Sequence, residues 1–181
     1  MHSFTRLPMY PNHSLMLAFL EDKVAEASSA DEEVGYPADH TGRIWFQVDY
    51  QSLTEKLEVT VFNVRNLPLR KNASSPPDPL VRLYLLPDDR CQHQTESKRR
   101  TQHPNFGQSF NFQVARDNLP QRVLRLSVYD LGKGRRSDVI GHVLYSLKDQ
   151  ALGVKAWRDL ETVSEVLLVE QWLVQHEDYH D

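Results

Sequence analysis

The sequence predicts an all-β fold of about eight antiparallel strands, arranged as a sandwich or a barrel, with short helical or disordered tails. Two observations carry this prediction. Apolar and polar residues alternate along most of residues 42–161, and the alternating runs are separated by close clusters of Asn, Pro, Gly and Asp. No alternation of strands with helices appears, so a parallel α/β sheet is not expected. With 181 residues, 40% hydrophobic and 25% charged, the chain is typical of one globular domain with tails.

Residues 1–41 are predicted to form an N-terminal tail or linker. A short helix is expected through Ser14–Ala27, followed by the polar stretch Ser28–His40. The apolar run Leu15–Leu20 has only six residues, whereas a bilayer span needs about 20. The single cysteine, Cys91, excludes a disulfide framework and favours a reducing compartment. We therefore expect a cytoplasmic chain without a transmembrane segment, peripheral to any membrane that it meets.

From Gly42 onward the apolar period is two, as expected for strands that bury one face. In the first run Ile44, Phe46 and Val48 share a face. The predicted strands, in order, are RIWFQVDY, LEVTVFNV, PLVRLYLL, the polar HQTESKRR, SFNFQV, VLRLSVYD, VIGHVLYSL and AWRDL. The remaining residues, 162–181, are predicted to be a tail with a short amphipathic helix through Val163–Leu173.

Four stretches in this region resemble C2 domains of the synaptotagmin type, most closely a first C2 domain. They are DPLVRLYLLPD (Asp78–Asp88), RRTQHPNFGQSFNFQV (Arg99–Val114), VYDLGKGRRSDVIGHVLYSL (Val128–Leu147) and WRDLE (Trp157–Glu161). The resemblance covers residues 42–161, in unbroken order. It implies an eight-stranded antiparallel sandwich, with binding to anionic phospholipids through loops at one end. It also implies a role in vesicle exocytosis, with SNARE proteins or other C2 domains as partners.

The resemblance also identifies where calcium would bind. The family places five aspartates in two loops, and three of these positions are Asp78, Asp130 and Asp138. The other two fall on Lys71 and Gly132. Calcium needs six to eight oxygen ligands, and a cation 4 Å away repels it by about 4 kcal/mol per unit charge in an effective dielectric of 20. The sequence therefore predicts a degenerate calcium site, weak if it exists, and no cofactor.

The same loops are rich in basic residues, which suggests that they bind anions directly. Five cations face the three aspartates, which leaves a local charge of +2 although the whole chain carries −4. We therefore expect calcium-independent binding to anionic phospholipid and no nucleic-acid partner. A second basic patch lies where family members carry a lysine run that contacts phosphoinositides and proteins; a solvated, charge-protected edge strand explains it equally well. The predicted anion-binding residues are Arg70, Lys71, Lys133, Arg135, Arg136, Lys98, Arg99 and Arg100.

Three other functions fit parts of the sequence. One is a calcium-dependent sensor of exocytosis in which backbone carbonyls and Asp88 or Asp89 replace the missing ligands. Another is a protein-interaction scaffold without membrane binding that uses the C-terminal helix. The third is a zinc protease, because HEDYH (His176–His180) matches H-E-x-x-H. Since that motif lacks a downstream third ligand, we do not predict an enzyme.

Overall fold

The computed structural model describes residues 35–71, 74–132, 136–148 and 152–162. The chain divides into two compact units, Met1–Tyr36 and Pro37–Asp181, and the fold described here belongs to the second. The helices predicted through Ser14–Ala27 and Val163–Leu173 and the HEDYH motif lie outside the described residues. So do Lys133 and Arg135. The tail boundaries remain a prediction.

Eight strands in two antiparallel four-stranded sheets confirm the predicted sandwich. One sheet has the order β5-β2-β1-β8 and the other β4-β3-β6-β7. A 3₁₀ helix, η1, at Arg116–Gln121 connects β5 to β6. The strands are β1 (Arg43–Gln51), β2 (Lys56–Arg65), β3 (Pro79–Leu86), β4 (His93–Gln94), β5 (Asn105–Gln113), β6 (Val123–Leu131), β7 (Ser137–Ser146) and β8 (Val154–Asp159).

The core lies between the sheets and consists of the inward residues of the period-two runs. In β1 the predicted face is buried at Ile44, Phe46 and Val48, while the last residue of that face, Tyr50, is half-buried and packs against the core. The rings of Phe46 and Tyr145 meet edge to face across the sandwich, with ring centroids 5.2 Å apart. Alternating burial continues in β2 and through most of β6, so hydrophobic burial fixes which side chains face outward there. In β3 every residue except Arg82 is buried.

The fourth strand is much shorter than predicted, because HQTESKRR forms a regular ladder only at His93–Gln94. The neighbouring chain still follows β3 through backbone N–H groups of Gln92, Thr95, Lys98 and Thr101. Their acceptors on and just before β3 are the carbonyls of Leu83, Val81, Pro79 and Pro77. Successive donors are three residues apart along residues 92–101, whereas successive acceptors are two residues apart along residues 77–83. The repeated extra residue in the first segment prevents it from forming a regular strand.

Three connections meet at one end of the sandwich, which we call the loop end. They join β2 to β3, β4 to β5, and β6 to β7. The opposite end carries the β1–β2 turn, the β3–β4 and β7–β8 connections, and η1. The β2–β3 connection is anchored through Leu67, whose N–H donates to the Gln102 carbonyl at 3.0 Å while the Gln102 side chain donates to the Leu67 carbonyl at 2.6 Å. This anchoring holds two of the three loops together.

Candidate functional site

At the loop end an arginine lies between two of the predicted calcium-site aspartates. The guanidinium of Arg70 donates from Nε and Nη2 to the two carboxylate oxygens of Asp130, both at 2.6 Å. Its Nη2 also lies 3.3 Å from Oδ2 of Asp78. The fork of Arg70 thus matches the Asp130 carboxylate in the bidentate geometry that gives the strongest charge-assisted hydrogen bonds. We call Arg70, Asp78 and Asp130 the Arg70 cluster.

Backbone groups from the neighbouring loops complete this cluster. Asp130 Oδ1 accepts a hydrogen bond from the Asp78 N–H at 2.8 Å. Asp78 Oδ1 accepts one from the Arg100 N–H at 2.7 Å, and the Asp78 carbonyl accepts one from the Leu131 N–H at 2.9 Å. One ion-pair network therefore joins the β2–β3 and β4–β5 connections to the end of β6.

The charged groups of the Arg70 cluster are largely buried, which makes their pairing important for stability. The Asp130 side chain is only 11% exposed and that of Arg70 is 25% exposed. The hydrogen bonds from Arg70 hold the pKa of Asp130 below its ordinary value, against the opposing effect of burial. The same bonds raise the pKa of Arg70. Both groups are therefore charged at neutral pH, and an internal cation already neutralises the buried carboxylate.

The local backbone explains why Arg70 rather than Lys71 points inward. The Arg70 N–H donates to the Ser75 carbonyl at 2.9 Å, and the Ser74 N–H donates to the Arg70 carbonyl at 3.1 Å. This turn directs the Arg70 side chain toward Asp130 and leaves Lys71 exposed. Arg70, predicted to bind external anions, is instead paired internally, so we reassign it from the anion-binding set.

The third predicted calcium ligand does not join the cluster. Asp138 lies opposite Asp130 in the β6–β7 register, but its side chain is exposed. Gly132 supplies no side-chain oxygen, and its N–H donates to the Arg136 carbonyl at 2.8 Å. Within the described part of the chain, no group of three or more His, Cys, Asp or Glu residues is arranged to hold a metal. The residues present thus do not form the acid-rich cage that calcium requires.

The proposed replacements for the missing calcium ligands lie elsewhere. Asp88 and Asp89 follow β3, whereas Asp78 immediately precedes it, so the length of the strand separates them. Asp88 instead pairs with Arg90 at 2.8 Å, which lowers the pKa of the Asp88 carboxyl. Asp88 and Asp89 therefore lie away from the Arg70 cluster, and the calcium-dependent alternative stays a prediction.

The two predicted basic patches lie on the same end of the sandwich. Lys98 donates its N–H to Pro79, and Arg100 donates its N–H to Asp78, so residues 98–100 border the Arg70 cluster. The sequence placed them at the end of a separate strand. Within the described residues, the basic side chains exposed or half-exposed at this end and outside the cluster include Lys71, Lys98, Arg99, Arg100 and Arg136.

The outward face of the second sheet carries two arginines that the sequence analysis missed. The guanidinium carbon of Arg82 lies 4.3 Å from the ring centre of Tyr129, and that of Arg125 lies 4.0 Å from the ring centre of Tyr84. The Tyr84 and Tyr129 hydroxyls are 3.2 Å apart, and burial followed by this hydrogen bond raises the pKa of Tyr84 to about 12. Arg82 and Arg125 are the arginines within the predicted strands PLVRLYLL and VLRLSVYD, and this is the sequence feature that could have identified them.

The topology defines the class of fold: an eight-stranded antiparallel sandwich of two four-stranded sheets, here with an arginine–aspartate cluster at one end. The C2 domain profile matches residues 55–160. The chain belongs to the C2 domain family. Among the described residues, no helix has the length and apolar character that a bilayer crossing requires.

Relatives and solved structures narrow the type of C2 domain. Synaptotagmin-5 of Mus musculus is 38% identical over 122 residues, covering 66% of this chain and 31% of that protein. Synaptotagmin-C of Diplobatis ommata is 40% identical over 129 residues, covering 68% and 24%. A crystal structure of a RIM C2 domain from Drosophila has a TM-score of 0.63 at 28% identity, covering 67% of this chain and 99% of that one. The chain is thus similar to synaptotagmin C2 domains and spans less than a third of these curated relatives.

Proposed function

We propose that this chain is a non-catalytic C2 module that binds anionic phospholipid membranes through its loop end without needing calcium. The observation that carries the proposal is the Arg70 cluster. A guanidinium tethered to the β2–β3 connection neutralises the buried Asp130 carboxylate and also contacts Asp78. A divalent ion entering the same space would have to displace that guanidinium from a bidentate pair.

The charge distribution supports a membrane target. Because Arg70 already neutralises the buried carboxylate, the remaining basic side chains at the loop end are available to an anionic surface. Each contributes up to about 1 kcal/mol near such a surface, less where it is partly paired or screened. In the sequence, Lys133 and Arg135 also fall between β6 and β7, whose connection belongs to the loop end. We expect the resulting binding to be modest, reversible and sensitive to salt.

The family context extends the proposal to the cell. Synaptotagmin-type C2 domains imply a peripheral position on the cytoplasmic side of plasma or vesicle membranes and a role in vesicle exocytosis. SNARE proteins and other C2 domains are the protein partners that this context suggests. We assign basic residues 98–100 to these partners as well as to the membrane, since the residues border the Arg70 cluster.

Liposome co-sedimentation tests the membrane proposal. The full chain should bind vesicles containing phosphatidylserine and ignore neutral vesicles, equally with a chelator and with millimolar calcium. Substitution of Lys98, Arg99 and Arg100 by Gln should weaken binding at least tenfold. The matched control replaces three exposed cations of the opposite end, Lys56, Arg116 and Lys148, and should bind like the wild type. Binding that requires calcium would overturn the proposal, as would equal losses in both triple variants.

A further inference from the structure

We infer that the outer face of the β5-β2-β1-β8 sheet is a second binding surface, for an extended basic peptide segment of a partner protein. This face carries an open hollow of about 340 Å³, lined by Gln47, Asp49, Glu58, Thr60, Phe62 and Lys155. It lies on a side of the sandwich that the loop-end proposal does not use. The inference therefore stands apart from membrane binding.

One end of the hollow is anionic. Asp49 on β1 and Glu58 on β2 are directly opposite each other in the strand register. Like charges in this position destabilise a sheet, so the pair is not explained by the stability of the fold. Within the described residues neither carboxylate forms an ion pair. Two adjacent, unpaired carboxylates favour a cationic ligand, and an arginine can engage carboxylates in bidentate fashion.

At its other end the hollow reaches Phe62, which belongs to an aromatic shelf formed with Trp45 and Trp157. Trp45 stacks on Trp157 with ring centroids 5.3 Å apart and planes within 10°. The Phe62 ring lies 4.7 Å from Trp45 on the other side. All three side chains are half-exposed on a sheet face. Cross-strand aromatic contacts stabilise the sheet, but a continuous exposed aromatic surface is also typical of the residues that anchor protein partners.

Lys155 determines which end of the hollow receives the basic side chain of the peptide. Its ammonium is 5.3 Å from the ring centre of Trp45 and 5.1 Å from that of Phe62, within cation–π range. This charge repels a second cation at the aromatic shelf. A basic ligand side chain is therefore directed toward Asp49 and Glu58, and an apolar side chain toward the aromatic shelf.

The distance between the carboxylates and the aromatic shelf determines how far apart the two matching side chains of the peptide must be. Asp49 and Trp45 are four residues apart along β1, which corresponds to about 13 Å in a strand. Between them, Gln47 and Thr60 face each other and offer hydrogen-bonding groups. An extended segment with an arginine and, four positions away, an aromatic residue matches both ends of the hollow.

The test uses the full chain and a synthetic peptide, acetyl-Arg-Ser-Thr-Ser-Phe-amide. Binding is measured by isothermal calorimetry and by the change in tryptophan fluorescence. The arginine peptide should bind at least tenfold more tightly than the same peptide with Glu in place of Arg. The double variant Asp49→Asn/Glu58→Gln should lose this preference. The control Asp89→Asn/Glu96→Gln, which removes the same charge from other exposed positions, should retain it.

Folding and membrane binding provide independent readouts for the double variant. Because it relieves like-charge repulsion, it should melt at the same temperature as the wild type or higher, and it should still bind phosphatidylserine vesicles. Equal affinity for the two peptides, no peptide binding, or an undiminished preference in the double variant would each overturn the inference. A loss of vesicle binding in the double variant would also overturn it, since the face would then belong to the membrane surface.

Discussion

At the residue scale, the central feature is a single guanidinium that lies between two aspartates, Asp78 and Asp130. Asp130 is almost fully buried, and an isolated buried carboxylate would be costly without a counter-charge. Arg70 supplies that charge from within the chain and satisfies both carboxylate oxygens. Removing one partner of such a pair costs roughly 3–5 kcal/mol, because the other charge is left unpaired. The Arg70 cluster is therefore open to a direct test by substitution.

We expect Arg70→Gln to lower the free energy of unfolding by about 3 kcal/mol, the low end of that range because the Arg70 side chain retains some exposure. The neighbouring control Lys71→Gln changes an exposed charge and should shift it by less than about 0.5 kcal/mol. Denaturant unfolding of the three proteins measures both values. Similar losses in the two variants would mean that the ion pair contributes nothing specific.

The free energy of unfolding should depend on pH with opposite sign in the wild type and in Arg70→Gln. In the wild type the pKa of Asp130 is lowered by Arg70, so its contribution is present above the ordinary carboxyl value of about 3.9 and is lost as pH falls through the lowered pKa. In Arg70→Gln the buried carboxylate lacks its cation, and burial should raise its pKa. Stability of the variant should then increase as the pH falls from 7 toward 5. Parallel pH curves for variant and wild type would contradict this.

The sequence could locate the acids of this site but not the side chain that neutralises them. Spacing from the family pattern assigned the first-loop position to Lys71, one residue from Arg70. The β2–β3 connection has no hydrophobic period, so nothing in the sequence indicates which of two adjacent cations points inward. Hydrogen bonds from Arg70 N–H to Ser75 and from Ser74 N–H to Arg70 decide it. The turn spans only residues 70–75, but no repeating pattern in the sequence marks which of its side chains faces the aspartates.

At the scale of the elements, the strands with one buried face were predicted well and the polar one was not. RIWFQVDY falls within β1, from Arg43 to Gln51, because burial of alternate residues fixes both type and register. HQTESKRR has no apolar face, and only Thr95 within it is deeply buried. Its path is instead set by single backbone hydrogen bonds to β3. The sequence analysis therefore overestimated its regularity as a strand.

The irregular segment gives a prediction that separates stability from binding. Arg100 has a φ of 48°, a left-handed conformation that costs a non-glycine residue about 1 kcal/mol. Arg100→Gly relieves this strain but increases the entropy of the unfolded chain, so we expect stability to change by less than about 0.5 kcal/mol. Loss of the cation should weaken binding to phosphatidylserine vesicles by about fivefold. Thermal unfolding and co-sedimentation measure the two effects.

The control for this variant is Arg116→Gln, which removes an exposed cation from η1 at the opposite end. It should leave both the melting temperature and vesicle binding unchanged. If Arg100→Gly binds vesicles like the wild type while the triple variant of residues 98–100 does not, then Lys98 and Arg99 alone form the basic surface. If Arg100→Gly unfolds at a much lower temperature, the Arg100 side chain has a structural role that its exposure does not indicate.

At the scale of the whole molecule, function depends on how charge is distributed rather than on its total. The chain has a net charge of −4, yet exposed cations of its loop end surround a cluster in which Arg70 already pairs with the buried Asp130. The outer face of the other sheet carries the opposed Asp49 and Glu58. An anionic surface therefore attracts one end of the sandwich and repels this outer face. A single domain oriented in this way should bind weakly, because only a few partly screened charges take part.

Linking two copies should convert this weak binding into stable attachment. When one loop end is bound, a flexible linker holds the second near the same membrane, and the apparent affinity should rise by about 10²–10⁴ without any new contact. The salt dependence should also steepen, because twice as many basic residues engage the surface. Co-sedimentation of the single and tandem proteins over a salt series, with chelator throughout, measures both effects. A tandem protein with Lys98, Arg99 and Arg100 neutralised in one copy should bind close to the single-copy level. Equal affinities for the single and intact tandem proteins would mean that the loop end does not bind the membrane by charge.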